Sequence, residues 1–135
     1  ANSDTGIVPL LSKTTRNGVS ISEFLDEETQ NNLAEATKGG GATLTKLLGT
    51  SAWYAPGAAV SMLVQSIVCD QKKMIPCSVM LDGEYGESDI CMGVPCIIGK
   101  DGIEKIVTIS LTDAEKEKFA TAAKAVRDVN GDLGF

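Results

Sequence analysis

The sequence predicts an α+β fold, on three observations. The spacings Ser20-Ile21-Ser22-Glu23 and Thr112-Asp113-Ala114-Glu115 match capping boxes, and each leads into apolar residues at helical intervals. Between these helical regions the β-branched, apolar runs follow one another through tight turns and do not alternate with crossover helices. No G-x-G-x-x-G occurs anywhere, so a doubly wound nucleotide-binding sheet is not encoded in this stretch.

From Ser20 onward, Glu23, Asp26, Glu27 and Glu28 supply the negative charge that suits a helix N-terminus. Leu33 and Ala36 continue that helix, and Leu44, Leu47 and Leu48 resume its spacing beyond Gly39, Gly40 and Gly41. The glycines predict one long bent helix or two in tandem, with another segment packed closely on the Cβ-free backbone. Gly49 ends this region, and Pro56 sits where a first helical turn tolerates it, so a second helix is expected from about Ala55. Gly57, Ala58, Ala59 and Ser61 make its opening turns small, while Leu63, Val64, Ile67 and Val68 should form its apolar face.

A strand is expected through "KKMIPCSVMLD", ending at an Asp82-Gly83 turn, with Pro76 marking an edge or a bulge. The apolar run Ile90 to Ile98, the Gly99-Lys100-Asp101-Gly102 turn and the alternation as far as Ile109 predict an antiparallel hairpin. After Thr112, the spacing of Phe119, Ala122, Ala123 and Val126 predicts a closing amphipathic helix that ends near Gly131.

The 135 residues fit one domain, taken as 1–135. A hydrophobic share of 43% is ordinary for a globular chain, and no apolar run is long enough for a membrane span, so a soluble protein is expected. A net charge of −6 with scattered lysines argues against a nucleic-acid partner. Cys69, Cys77, Cys91 and Cys96 lack a C-x-x-C spacing, and with no histidine in the chain there is no zinc set; buried, reduced thiols and a cytoplasmic location are expected.

The absence of histidine also removes the side chain that most often does acid–base work near neutrality. Thr50 and Ser51 have no base beside them in sequence, so a nucleophilic role is unsupported. The acids Asp82, Glu84, Glu87 and Asp89 do not follow an EF-hand spacing and read as a solvated turn, with no metal assigned. Nor do the three glycines follow a phosphate-loop spacing.

The ordered phrases "ATKGGGATLTKLLG", "GTSAWYAPGAAVSMLVQSIV", "LDGEYG", "GVPCIIGKDGIEKI" and "LTDAEKEKF" resemble the C-terminal, substrate-side half of the lactate/malate dehydrogenase family, nearest in wording to malate dehydrogenases of the lactate-dehydrogenase-like group. The resemblance covers nearly the whole chain. It implies antiparallel strands packed with long helices and, in the complete enzyme, interconversion of (S)-malate and oxaloacetate with NAD/NADH. The NAD would be bound mainly by an N-terminal domain outside this sequence.

The resemblance further implies that Ser51 and Ala52 border the substrate, with Trp53, Tyr54 and Pro56 extending that wall. The family's His-Gly-Asp motif aligns with Asn2-Ser3-Asp4, so Asp4 matches its aspartate while the catalytic histidine is missing. The chain is accordingly expected to be a fragment, inactive alone, with no catalytic or cofactor-binding residue of its own. A dimeric or tetrameric homo-oligomer is expected in the complete enzyme, and self-association of the isolated chain through exposed apolar surface. An L-lactate or other 2-hydroxy-acid dehydrogenase domain is an alternative, as is a non-catalytic binding or assembly module of the same fold.

Overall fold

The structure, a computed structural model, describes residues 6–133. Along the chain run β1 (Thr15–Arg16), β2 (Val19–Ser20), α1 (Glu27–Leu48), α2 (Tyr54–Val68), β3 (Lys73–Asp82), β4 (Ser88–Gly99), β5 (Gly102–Ile106) and α3 (Asp113–Asp132). They form two compact units, one from Ala1–Ser51 with Leu111–Phe135 and one from Ala52–Ser110. The α+β expectation holds: every strand pairing is antiparallel among the described residues.

In the first unit, a 3-10 turn at Leu11–Lys13 precedes a small hairpin in which Thr15 pairs with Ser20 and Arg16 with Val19. Asn17 and Gly18 join its strands with φ values of 51° and 84°, the left-handed pair that matches the twist of a two-residue hairpin. The Ser20 capping box is not formed. Ser20 Oγ accepts from Ser22 N at 3.4 Å and caps only a 3-10 turn, Ile21–Glu23, which closes when Phe24 and Leu25 both donate to the Ile21 carbonyl. The helix restarts at Asp26, whose carboxylate accepts from Thr29 N at 2.7 Å and precedes Glu27 and Glu28 in the first turn.

α1 is one continuous helix of 22 residues, ended by Gly49 in the left-handed region with its N–H on the Thr45 carbonyl. It passes through all three glycines, and a Cβ on any of them would meet nothing within 4 Å, so the close neighbour expected there is absent among the described residues. α1 buries no residue: Leu33, Leu44, Leu47 and Leu48 are all exposed. α3 begins with the expected Thr112–Glu115 capping box and turns Ala122 and Ala123 inward, with Phe119 and Val126 half-buried.

The second unit is built on the sheet β3-β4-β5. Residues alternate across it, and Ile75, Leu81, Ile90, Met92, Val94, Cys96 and Ile98 are buried on one face. Pro76 pairs with Pro95. Val107 N reaches the Pro95 carbonyl at 2.8 Å, so Pro95 points its backbone toward β5 and Pro76 points its own to the open edge, where a missing N–H costs no ladder bond.

The alternation expected to reach Ile109 stops at Ile106 as a strand. Pro95 and Tyr85 explain the end: Pro95 stands opposite Val107 with no N–H to offer its carbonyl, and the Tyr85 hydroxyl donates to that carbonyl at 2.8 Å and accepts from Ile109 N at 3.2 Å. α2 begins at Tyr54, one residue ahead of expectation. Its apolar face is only partly covered, with Leu63 and Ile67 half-buried but Val64 and Val68 exposed. What fixes α2 is polar. Ser66, fully buried, donates from Oγ to the Ile98 carbonyl at 2.7 Å and accepts from Lys73 N at 3.3 Å.

Of the four thiols expected inside, only Cys96 is buried; Cys77 is half-buried, and Cys69 and Cys91 are exposed. Cys69 is the half-helical residue that ends α2, and Cys91 lies on the outward side of the β4 alternation. Burial pushes the Cys96 thiol up from its ordinary value, and the neighbouring Cys77 adds to the shift.

Candidate functional site

Ser51 and Ala52 lie in the non-helical connection that follows Gly49 and leads into α2. Gly49 creates that connection, because its φ of 71° turns the chain out of α1 without the clash a Cβ would bring. Ser51 is exposed and closes the first unit, while Ala52 is half-buried and opens the second. Trp53 is the N-cap of α2, and its carbonyl accepts from Gly57 N at 2.9 Å.

The start of α2 has no side-chain cap and no acidic residue in its first turn. Its N-terminal partial charge is therefore not neutralised by its own side chains, which suits a neighbouring carboxylate. Tyr54, at 91% exposure, and Trp53, at 72%, present large aromatic surfaces beside it. Asp4, with Asn2 and Ser3, lies outside the described residues.

Other polar groups are committed to structure. Glu115, 7% exposed, gathers donors onto its carboxylate: Ser12 Oγ and Thr112 N at 2.8 Å, Thr112 Oγ1 at 3.0 Å and Ser12 N at 3.3 Å. Desolvation pushes its carboxyl up, but the hydrogen bonds from Thr112 and Ser12 together outweigh it and hold the group below the ordinary glutamate range. In the acidic turn, Glu84 accepts from Asp82 N at 2.7 Å, and this bond with one from its own backbone lowers its carboxyl. No grouping of three or more potential metal ligands is found among the described residues.

An open cleft of about 370 Å³ in the first unit is lined by Ile7, Val8, Lys38, Ala114 and Thr121 among others. Sequence reasoning did not single out Ser12, Ser66, Tyr85 or this cleft. The Asn17-Gly18 dipeptide was a readable hairpin signal. The Ser12–Glu115 bond, spanning 103 residues, had none.

Comparison with known proteins identifies the chain. The family model for the lactate/malate dehydrogenase α/β C-terminal domain matches residues 2–130. The chain belongs to this family. The malate dehydrogenase of Bacteroides thetaiotaomicron is 62% identical over 130 residues, 96% of this chain and 42% of that protein. The malate dehydrogenase of Flavobacterium johnsoniae is 58% identical over the same shares of each chain.

Among solved structures, the malate dehydrogenase from Salinibacter ruber superposes with a TM-score of 0.90 at 38% identity, covering 94% of this chain and 42% of that one. The lactate dehydrogenase from Eimeria maxima, solved with NADH and oxamate, gives 0.89 at 34% identity, covering 93% and 40%. The chain thus spans 42% of the length of each of these two curated relatives. Both the lactate/malate dehydrogenase resemblance and its implied fold are borne out. No described helix of the domain is long and apolar enough to cross a membrane.

Proposed function

We propose that residues 1–135 form the C-terminal, substrate-side domain of an NAD-dependent malate dehydrogenase that interconverts (S)-malate and oxaloacetate. The observation that carries this reading is the 62% identity over 96% of the chain to a relative named malate dehydrogenase. Ser51 and Ala52 are the substrate-facing residues in this reading. A small hydroxyl and a methyl leave room for a dicarboxylate, and the uncapped start of α2 favours its negative charge.

Among the described residues, the run of three glycines forms no phosphate cradle for NAD. Gly39, Gly40 and Gly41 lie inside α1, where the helix engages the backbone amides that a phosphate would need. In this reading NAD is bound mainly by a part of the complete enzyme outside residues 1–135, and the domain contributes binding and orientation of substrate. It is inactive by itself in this reading.

Upstream extension of the reading frame is expected to reveal a strand followed by G-x-G-x-x-G. The full-length protein is expected to reduce oxaloacetate with NADH, and the 135-residue chain to stay at background. Oxaloacetate turnover by the short chain, or none by the long one, refutes the proposal. The Eimeria maxima likeness favours one second reading, a lactate dehydrogenase, which a higher kcat/KM for pyruvate than for oxaloacetate would select.

The exposed Val60, Val64 and Val68 on α2 support a homo-oligomer, dimer or tetramer, in the complete enzyme. Light scattering of the isolated chain is expected to show mass rising with concentration, and a constant monomer mass counts against it. The exposed free thiols of Cys69 and Cys91 suit a reducing compartment, the cytoplasm.

A further inference from the structure

We propose that Asn17-Gly18 is a self-modification site, at which the chain converts its own asparagine to aspartate and isoaspartate through a cyclic imide. No step depends on the malate dehydrogenase reading, and water is the only co-reactant. The Gly18 amide nitrogen gives up its proton and attacks Asn17 Cγ; the N–Cγ bond forms, the Cγ–Nδ2 bond breaks, and the departing nitrogen takes up a proton and leaves as ammonia. Water then opens the imide at one of its two carbonyls. Opening at Cγ gives aspartate, whereas opening at the main-chain carbonyl gives isoaspartate, with the backbone rerouted through Cβ and Cγ.

The sequence holds two Asn-Gly pairs, Asn17-Gly18 and Asn130-Gly131, and the structure separates them. In both, the attacking nitrogen belongs to a glycine, so no side chain shields it. Asn17 and Gly18 are exposed and make up the whole loop of the β1-β2 hairpin. That hairpin has two residues in each strand, Thr15 paired with Ser20 and Arg16 with Val19, and so short a ladder is marginal by itself. Its base is held, since Ile21 N donates to the Thr14 carbonyl at 3.1 Å and Ile21 is buried. Opening is therefore confined to the tip, where the Asn17 main chain swings until Gly18 N faces Cγ. Asn130 and Gly131 instead lie inside α3, and Asn130 is half-buried. Helical bonding fixes the main chain there, so attack waits for the last turn to unwind.

The two products act differently on the hairpin. Asp-Gly suits the same left-handed turn, so aspartate leaves the loop standing. Isoaspartate puts one more carbon into the main chain of a two-residue loop and breaks the pairing of Arg16 with Val19. Either product adds a negative charge to a chain that already carries −6.

The test incubates the full-length protein near neutral pH and follows the peptides that contain Asn17 and Asn130 by mass spectrometry. An enzyme that methylates isoaspartyl carboxylates is the probe for that product, and Asn17→Asp is the chromatographic standard for the aspartate form. In the folded protein Asn17 is expected to convert about tenfold or more faster than Asn130. In guanidinium chloride, where both pairs are free to reach the attack geometry, the two rates should come within about threefold of each other. Isoaspartate should appear at position 17, and the Asn17 rate should rise with pH because the attacking amide must lose its proton. Asn17 converting no faster than Asn130 in the folded protein overturns the proposal. The same ratio persisting in guanidinium chloride also overturns it, since the contrast would then come from neighbouring sequence and not from the fold.

Discussion

The sheet unit, Ala52–Ser110, and the helical unit, Ala1–Ser51 with Leu111–Phe135, use their apolar residues in opposite ways. In the sheet, alternation collects Ile75, Leu81, Ile90, Met92, Val94, Cys96 and Ile98 on one buried face. Among its described apolar residues the helical unit buries only Ile21, Ala122 and Ala123, and α1 contributes none across its full length. Apolar burial is thus concentrated in the sheet β3-β4-β5, while α1 leaves its leucines exposed.

The contrast is sharpest for leucines. Leu81→Ala, at a site 1% exposed, is expected to destabilise the domain by about 2–5 kcal/mol, whereas Leu47→Ala, at 79%, should stay within about 0.5 kcal/mol. Urea titration of both variants decides this, and comparable losses would break the comparison. Next in size, Ser66→Ala removes the donor to the buried Ile98 carbonyl and the acceptor of Lys73 N, at an expected cost of about 1–3 kcal/mol. Denaturation with an unchanged midpoint would show that water replaces the hydroxyl.

In the helical unit, Glu115 ties stability to pH. Its carboxyl lies below the ordinary value of 4.5 in the folded state, because the Thr112 and Ser12 hydrogen bonds outweigh desolvation. The stabilisation is fully present above that value and is lost as pH falls through the lowered folded value. On acidification from about pH 6 to pH 3, wild type should lose more stability than Glu115→Gln, read as the larger fall in urea midpoint. Parallel losses in the two proteins would refute it.

The smallest effect has the opposite sign. Gly40→Ala in α1 meets open space and removes a residue with poor helix propensity, so a gain of about 0.8–1.0 kcal/mol is expected in the 135-residue chain. The same substitution in the full-length protein tests whether a segment packs there, since a partner seated on the glycines turns the gain into a loss.

Legibility followed the range of the interaction. Thr112 and Glu115 could be read because a capping box is complete within four residues and its donors sit on the same turn. The identical spacing at Ser20 misled, because Asp26 with Glu27 and Glu28 offered a better helix start six residues on. The strand after Gly102 was overextended because its end depends on Pro95 standing opposite Val107 and on a tyrosine hydroxyl arriving from position 85. For the candidate site, Ser51 and Ala52 were legible only as a resemblance, and the uncapped start of α2 beside them came from the structure.

By itself the sequence determined the α+β class, the course of β3 and β4, the C-terminal end of α1 and both ends of α3, since periodicity, turn residues and caps act within a few neighbours, and the family through the resemblance of its ordered phrases. Tertiary structure alone decided which thiol is buried, why β5 stops, that Ser66 fixes α2 to the sheet, and that Ser12 shares Glu115 with the cap. Those outcomes depend on groups brought together from 22 to 103 positions apart, and no local pattern encodes which buried polar atom will find which partner.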